Sequence, residues 1–281
     1  MSKSFLSVQE SEHCLMVVDA LNLAFRWKHN GSTDFYEDYL RTIESLKKSY
    51  KARWVIIAAD QGSSSYRKQI YPEYKQNRKD KFAEQTEAER AAFERFFEDY
   101  QASLDWIRAN TTYPVIQFAQ TEADDIAAYI TQQIKHYPVD QVWLISSDKD
   151  WDLLINERVS RFSYVTRKEI TANNWHTHYE FPQESYISVK CLMGDSGDNV
   201  LGIEGIGPKR AQQLVEEYGT ALDILAAVPI TSKLKYIKTL NEQAERIALN
   251  YQLMDLVTFC KDALGENTKE LDKKLGEYIH E

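Results

Sequence analysis

Residues 14–19 read CLMVVD, an apolar run rich in β-branched side chains that stops on an acid. A continuous run of this length, without polar alternation, is the pattern of a strand buried on both faces, as in a parallel sheet. The pattern recurs in RWVIIAAD (53–60), PVIQFA (114–119) and QVWLISSD (141–148), and VSRFSYV (159–165) reads as a further strand. Helical stretches separate these runs: Phe35, Tyr39, Ile43 and Leu46 fall at helical spacing in residues 35–50, and Ile126, Ala127 and Ile130 in residues 122–136. Alternation of strand and helix predicts an α/β fold whose parallel sheet is covered on both faces.

Between the second and third runs lie about fifty residues, too many for an ordinary connection. Their first part reads as loop, and a long helix is expected from Thr86 onward. After Pro182 no strand-like run returns, and PQESYISVKCLMG, PKRAQQLVEEYG, TALDILAAV and EQAERIALNYQLMDL all read as helices. Residues 1–180 are therefore expected to form the α/β unit, with the insertion at about 62–110, and residues 181–281 a helical unit. The tail ELDKKLGEYIHE reads as a solvated helix with local ion pairs.

A length of 281 residues leaves room for one large or two ordinary domains. With 43% hydrophobic and 27% charged residues, 10 Gly and 6 Pro, the collagen-like, low-complexity and wholly disordered classes are excluded. No run of about 18 apolar residues occurs and residues 1–13 carry no apolar run, so no membrane span or signal peptide is expected and the expected location is the cytoplasm. Cys14, Cys191 and Cys260 are far apart in apolar surroundings, which suits buried thiols in a reducing compartment.

The net charge is −9, from 34 Lys and Arg against 43 Asp and Glu, and on its face argues against a nucleic-acid partner. That argument fails if the acids are gathered in one place. Each of the four runs ends in or near acid: Asp19, Asp60, the cluster Glu122, Asp124 and Asp125, and the pair Asp148 and Asp150. Ligands of open parallel sheets bind beyond the carboxyl ends of strands. Any one of these acids could serve only as a helix cap; seven together repel one another and need a compensating charge. Few basic residues adjoin them in sequence, so the compensator is read as metal. Carboxylates without paired His or Cys select Mg²⁺ or Mn²⁺, and several of them can hold two ions about 4 Å apart for in-line attack on a phosphodiester. His176 and His178 have no further ligands nearby and read as structural.

GDSGDN adds Asp195 and Asp198, three apart and so on one side of a turn. Without these nine acids the chain carries 34 charges of each sign. GIEGIGPKRA follows, with a helix expected from about Pro208 and with Lys209 and Arg210 in its first turn, where cations do not help a helix. A phosphate resting on the loop amides and the helix N-terminus accounts for their placement and gives sequence-independent contact with a duplex backbone. In the insertion, residues 66–81 interleave Arg67, Lys68, Lys75, Arg78, Lys79 and Lys81 with Tyr66, Tyr71 and Tyr74. A basic run is often only a solvated face, but this one starts six residues after Asp60. Cations with aromatic platforms suit a single-stranded end, and Lys75 or Arg78 could bear on the scissile phosphate.

The segments VVDALNLAFR (17–26), AADQGSSSYRKQIYPEYKQNR (58–78), TEADDIAAYI (121–130), SSDKDWDLL (146–154) and MGDSGDNVLGIEGIGPKRA (193–211) closely resemble the 5′ nuclease family, above all the stand-alone bacteriophage 5′-3′ exonucleases that also act as flap endonucleases. The resemblance implies a PIN-like α/β core with a helical arch above the active site, and a helix-three-turn-helix domain gripping duplex DNA. It implies that Asp19, Asp60, Glu122, Asp124, Asp125 and Asp148 serve a first metal and Asp150, Asp195 and Asp198 a second, with Asp148 between the groups. It also assigns Lys75 and Arg78 to the phosphate, Arg26 to a basic position near the pocket, Tyr74 to base stacking, and the Gly202–Gly207 loop, with Gly205, to a K⁺ at the duplex phosphate. A free-standing nuclease acting on DNA with 5′ ends, flaps or branches follows from it, and a monomer is the default expectation. A non-catalytic binder of branched DNA fits poorly, because retained acids near phosphates would weaken binding. An RNA-cleaving PIN ribonuclease is disfavoured by the duplex-suited GIEGIGPKR loop, and a haloacid-dehalogenase phosphatase by a first strand ending DAL rather than DxD.

Overall fold

A computed structural model describes residues 13–280. Residues 1–12, which were expected to lack a targeting run, lie outside the described residues, as does Glu281 of the tail. The apolar runs form the parallel strands β1 (Cys14–Asp19), β2 (Trp54–Ala59), β3 (Val115–Gln117), β4 (Gln141–Ile145) and β5 (Val159–Ser163), and β6 (Lys168–Ile170) closes one edge antiparallel. The spatial order is β3-β2-β1-β4-β5-β6. β1 and β2 are buried along their whole length, which is why their sequences carry no alternation. Val17 lies level with Ile56 and Leu144 on one face, and Met16 with Val55 and Trp143 on the other. Each such buried aliphatic side chain contributes about 1.5–3 kcal/mol.

The Met16 face is covered by α1 (Ala20–His29), α2 (Tyr36–Ser49) and the far end of the insertion. That insertion is more ordered than its sequence suggests: α3 (Ser65–Ile70), α4 (Gln76–Ala83) and the 24-residue α5 (Glu87–Asn110) follow one another. α5 begins, as expected, at a reciprocal cap between Thr86 and Glu89. α4 buries no residue, so there is no apolar stripe from which its helical period could be read. The opposite face is covered by α6 (Ala123–Gln133).

The helical unit begins with α7 (Tyr186–Met193), and its first departure from expectation is a small hairpin, β7 (Gly194–Asp195) with β8 (Val200–Leu201). A Cβ on Gly202 would lie 2.1 Å from the Met193 carbonyl oxygen, so this close approach requires glycine. Then come α8 (Pro208–Tyr218), α9 (Ala221–Ala227), α10 (Lys235–Glu242) and α11 (Glu245–Met254), around a core that includes Leu192, Ile203, Leu214, Ile237 and Ile247.

The last two helices, α12 (Leu256–Leu264) and α13 (Asn267–Tyr278), return to the α/β layer beside α6. The tail is thus not a solvated helix. Leu271 and Leu275, four apart, are buried in the sheet's core, the Val55 amide donates to the Tyr278 hydroxyl (3.1 Å), and only the outer face keeps ion pairs such as Lys274 with Glu270 (2.8 Å). Among the described residues no helix is long and apolar enough to cross a membrane, and all three cysteines are buried and free.

Candidate active site

Strand order reverses between β1 and β4, which opens a crevice beyond their carboxyl ends. A cavity of about 300 Å³ lies there, lined by seven carboxylates from five segments: Asp19, Asp60, Asp124, Asp148, Asp150, Asp195 and Asp198. Several of them also cap local structure. Asp19 accepts from the Asn22 amide (3.2 Å) and the Ser146 hydroxyl (2.6 Å), and Asp60 accepts from the Ala123 amide at the start of α6 (2.7 Å). Asp148 caps the 3₁₀ turn Lys149–Leu154 through the Asp150 amide (2.9 Å), and Asp195 accepts from the Gly197 amide (2.8 Å). Capping and convergence on the cavity are therefore compatible, because the same turns aim both.

Two of the nine expected acids do not line the cavity. Asp125, fully buried, receives both terminal nitrogens of Arg67 at 2.7 and 2.8 Å. Its expected role as a metal ligand is corrected accordingly: about 100° around α6 from Asp124, it turns into the core and is taken up by Arg67. Glu122 lies behind the cavity, accepting from the Lys75 ammonium (2.8 Å), the Tyr74 hydroxyl (3.0 Å) and the Ser64 amide (3.2 Å), with Arg67 at 3.5 Å.

The expectation that no protein cation compensates the acids is also overturned. Lys75 stands against Glu122 and, at 3.8 Å, Asp198; Arg78 pairs with Asp198 at 2.6 Å. Lys190, which the sequence reading passed over, bonds both Asp150 and Asp195, the latter at 3.2 Å. Its one signal was a lone cation in the apolar helix YISVKCLM, five residues before Asp195. These contacts are long-range in sequence, so adjacency could not reveal them. Among the described residues no three acidic, His or Cys side chains are drawn together as a ready-made ion site; the protein's own ammonium and guanidinium groups meet the carboxylates instead.

Compensation is incomplete. Burial, and next the charge of Asp60, push the Asp19 carboxyl up to about 8. Burial raises Asp150 to about 6 although Lys190 pulls the other way, and burial with Asp148 raises Asp124 well above its ordinary value. The donors are all hard oxygens, so the residues fit divalent cations of the Mg²⁺ class. A carboxyl whose folded pKa exceeds its unfolded value of about 3.9 takes up protons on folding, so these groups make the ion-free fold less stable as pH rises from about 4 to about 8. A divalent cation favours the ionised forms. The rise in Tm on adding Mg²⁺ is therefore expected to be larger at pH 8 than at pH 5. Scanning calorimetry checks this, and an equal or smaller rise at pH 8 would remove these acids as ligands.

Residues 14–180 match the model for the 5′-3′ exonuclease N-terminal resolvase-like domain, and residues 181–274 match that for the 5′-3′ exonuclease C-terminal SAM fold. The chain belongs to the 5′-3′ exonuclease family. It is 45% identical over 274 residues to the flap endonuclease of Escherichia phage T5, covering 94% of this chain and 93% of that protein. A structure of the T5 5′-exonuclease with divalent metal ions (zinc) bound superposes with a TM-score of 0.88 at 43% identity, covering 94% of this chain and 98% of that one. A pseudo-enzyme–product complex of the T5 flap endonuclease with DNA and metal ions gives a TM-score of 0.87 at 42% identity, over 94% and 97% of the two chains. The expected family and fold, an α/β core joined to a helical domain, are as the sequence indicated.

Of the basic and aromatic residues expected to meet DNA in this 5′-3′ exonuclease, two have no face to offer. Arg67 is 2% exposed and spends its guanidinium on Asp125, Glu122 and the Leu253 carbonyl (2.8 Å). Tyr74 is also 2% exposed; its hydroxyl lies between Glu122 and Asp198 (2.9 Å), so it links acids rather than stacking on bases. Lys75 and Arg78 line the cavity, and Lys68 lies nearby, bonding the Pro72 carbonyl (3.1 Å). Arg26 is exposed one residue beyond Phe25 of the cavity wall, its guanidinium over the Tyr164 ring (4.8 Å). Lys209 and Arg210 are exposed in the first turn of α8 after Gly207 and Pro208, and Gly205 takes the positive φ (83°) that favours glycine. Gly202 is explained by its approach to Met193 rather than by a ligand. Neither His176 nor His178 lines the cavity.

Proposed function

We propose that this 5′-3′ exonuclease family member hydrolyses DNA phosphodiesters at 5′ ends and flaps with two Mg²⁺ or Mn²⁺ ions, in replication or repair. The observation that carries the reading is the convergence of seven carboxylates on one cavity beside Lys75 and Arg78. Asp19, Asp60, Asp124 and Asp148 would serve the first ion, with Glu122 behind them, and Asp150, Asp195 and Asp198 the second. When bound, such ions activate the attacking water and stabilise the leaving oxygen. The chain's own part is positional. Lys75, Arg78 and Lys190 offset the repulsion among the carboxylates, and the first two exchange those partners for phosphate oxygens when substrate enters. Residues 62–110 act as the arch over the cavity, residues 1–180, braced by α12 and α13, as the nuclease core and the helical part of residues 181–254 as the duplex-binding part. A monomer acting in the cytoplasm, that of the host cell if the chain is phage-encoded, suits the reading.

Cleavage of a 5′-labelled flap duplex, with products sized, tests it. Cutting near the junction in Mg²⁺ and none in EDTA is expected, and EDTA-insensitive cutting would overturn the reading. A K⁺ at residues 202–207 would share the loop with two guanidinium groups, since the Gly205 and Gly202 carbonyls accept from Arg210 (2.5 Å) and Arg246 (3.0 Å).

If the loop and α8 grip duplex backbone, the double variant Lys209→Ala, Arg210→Ala weakens binding equally for unrelated sequences. Each lost phosphate contact flattens the salt dependence by about 0.9 in log–log slope. Substrates without a duplex portion suffer much less. A salt series with both substrates checks this, and a sequence-selective loss or an equal loss on single strands would refute it.

A further inference from the structure

Trp151 sits in the middle of the turn Lys149–Leu154, between Asp150 and Asp152, and its side chain is wholly buried. Its indole N–H donates to Oδ1 of Asp124 at 2.6 Å. An indole nitrogen only donates and does not titrate, so this donor keeps its direction whatever the charge around it. The ring shares its apolar cluster with Ile126, Ile130 and Leu154, and the turn that carries it is pinned from other sides. The Asp152 carboxylate receives Arg161 at 2.5 and 2.9 Å, and the Tyr186 hydroxyl donates to the Lys149 carbonyl at 2.9 Å. Satisfying a buried indole is not sufficient reason for the arrangement, since Nε1 of Trp143 is buried without a partner in the same sheet.

We infer that Trp151 is a positioning residue for divalent-ion binding: by holding Oδ1 of Asp124 it fixes that carboxylate's orientation and ties the start of α6 to the turn that carries Asp148 and Asp150. One oxygen of Asp124 is engaged from behind, and Oδ2 is left for a ligand in the cavity. The two acid-bearing segments then move as one piece, so less side-chain freedom is lost when an ion binds. The inference rests on the divalent-ion reading of the cavity.

The test uses the full chain. The indole ¹H–¹⁵N signals are followed during Mg²⁺ titration, and the signal absent from Trp151→Phe is assigned to Trp151. Mg²⁺ binding is measured by calorimetry for the wild type and for a variant with 3-benzothienylalanine at 151, which keeps the ring shape but lacks the N–H. The Trp151 signal is expected to move along the binding isotherm. The isostere should bind Mg²⁺ about 10–100-fold more weakly, recover cleavage at raised Mg²⁺, and bind duplex in EDTA as the wild type does. If Trp151→Phe does not fold, the isostere supplies the assignment. Wild-type Mg²⁺ binding that leaves the signal unmoved, or an isostere with wild-type Mg²⁺ affinity, overturns the inference while sparing the divalent-ion reading. A wild type that binds no divalent ion overturns both.

Discussion

Asp148→Asn is expected to lower single-turnover cleavage by on the order of 10³-fold while leaving DNA binding unchanged or tighter. The Asp148 carboxylate caps the turn by accepting from the Asp150 amide, and its own amide donates to Ser146 Oγ at 3.0 Å. An asparagine oxygen can still accept the cap, so the turn keeps its shape and only a negative charge is lost. That charge lies at the topological reversal, between Asp19 on β1 and Asp150 in the turn, where both groups of acids need it. Its removal also relieves repulsion of an incoming phosphate. Rates at saturating enzyme together with Kd check the split, and wild-type turnover would sink the two-ion reading.

Lys75→Ala is expected to lower the rate by about 10²–10³-fold, with a far smaller loss of duplex affinity. The Lys75 side chain is 14% exposed, and its ammonium is held protonated, against burial, by Glu122 and Asp198. It therefore offers a fixed positive charge inside the cavity wall, where charge develops during cleavage, rather than on the surface that meets the duplex. The backbone there is left-handed (φ 56°), and its amide donates to the Asp198 carbonyl at 2.9 Å, so the position is set independently of the side chain. A loss confined to Kd, with the single-turnover rate intact, would make Lys75 an ordinary phosphate anchor.

The sheet was legible because strands buried on both faces leave unbroken apolar runs, and the cavity because acids follow those runs where α/β sheets bind ligands. The long helix from Thr86 was legible through its strong helix formers and its apolar spacing. What escaped has a common cause: side chains that meet only across the fold. Lys190 with Asp150, Arg67 with Asp125, and Tyr74 between two acids are pairings between distant segments, and counting neighbours in sequence missed the internal compensation they provide. Helix α4 escaped for the opposite reason, burying none of its residues and so leaving no periodic apolar stripe. Which of the adjacent Asp124 and Asp125 faces the cavity is decided by the pairing of Asp125 with Arg67, a contact across the fold that the sequence does not display.

The return of α12 and α13 to the sheet means that the chain passes between the α/β layer and the helical layer twice, near residue 180 and again near residue 255. One crossing would leave a swivel; two, with Tyr129 bonded to Asp272 (2.9 Å) and Tyr278 to the β2 backbone, make a brace. The span from the Gly205–Arg210 loop to the acid-lined cavity is thereby held constant, as between the fixed jaws of a caliper. If a duplex is gripped at the loop, as proposed above, that span would meter where along the strand the phosphodiester is offered to the acids.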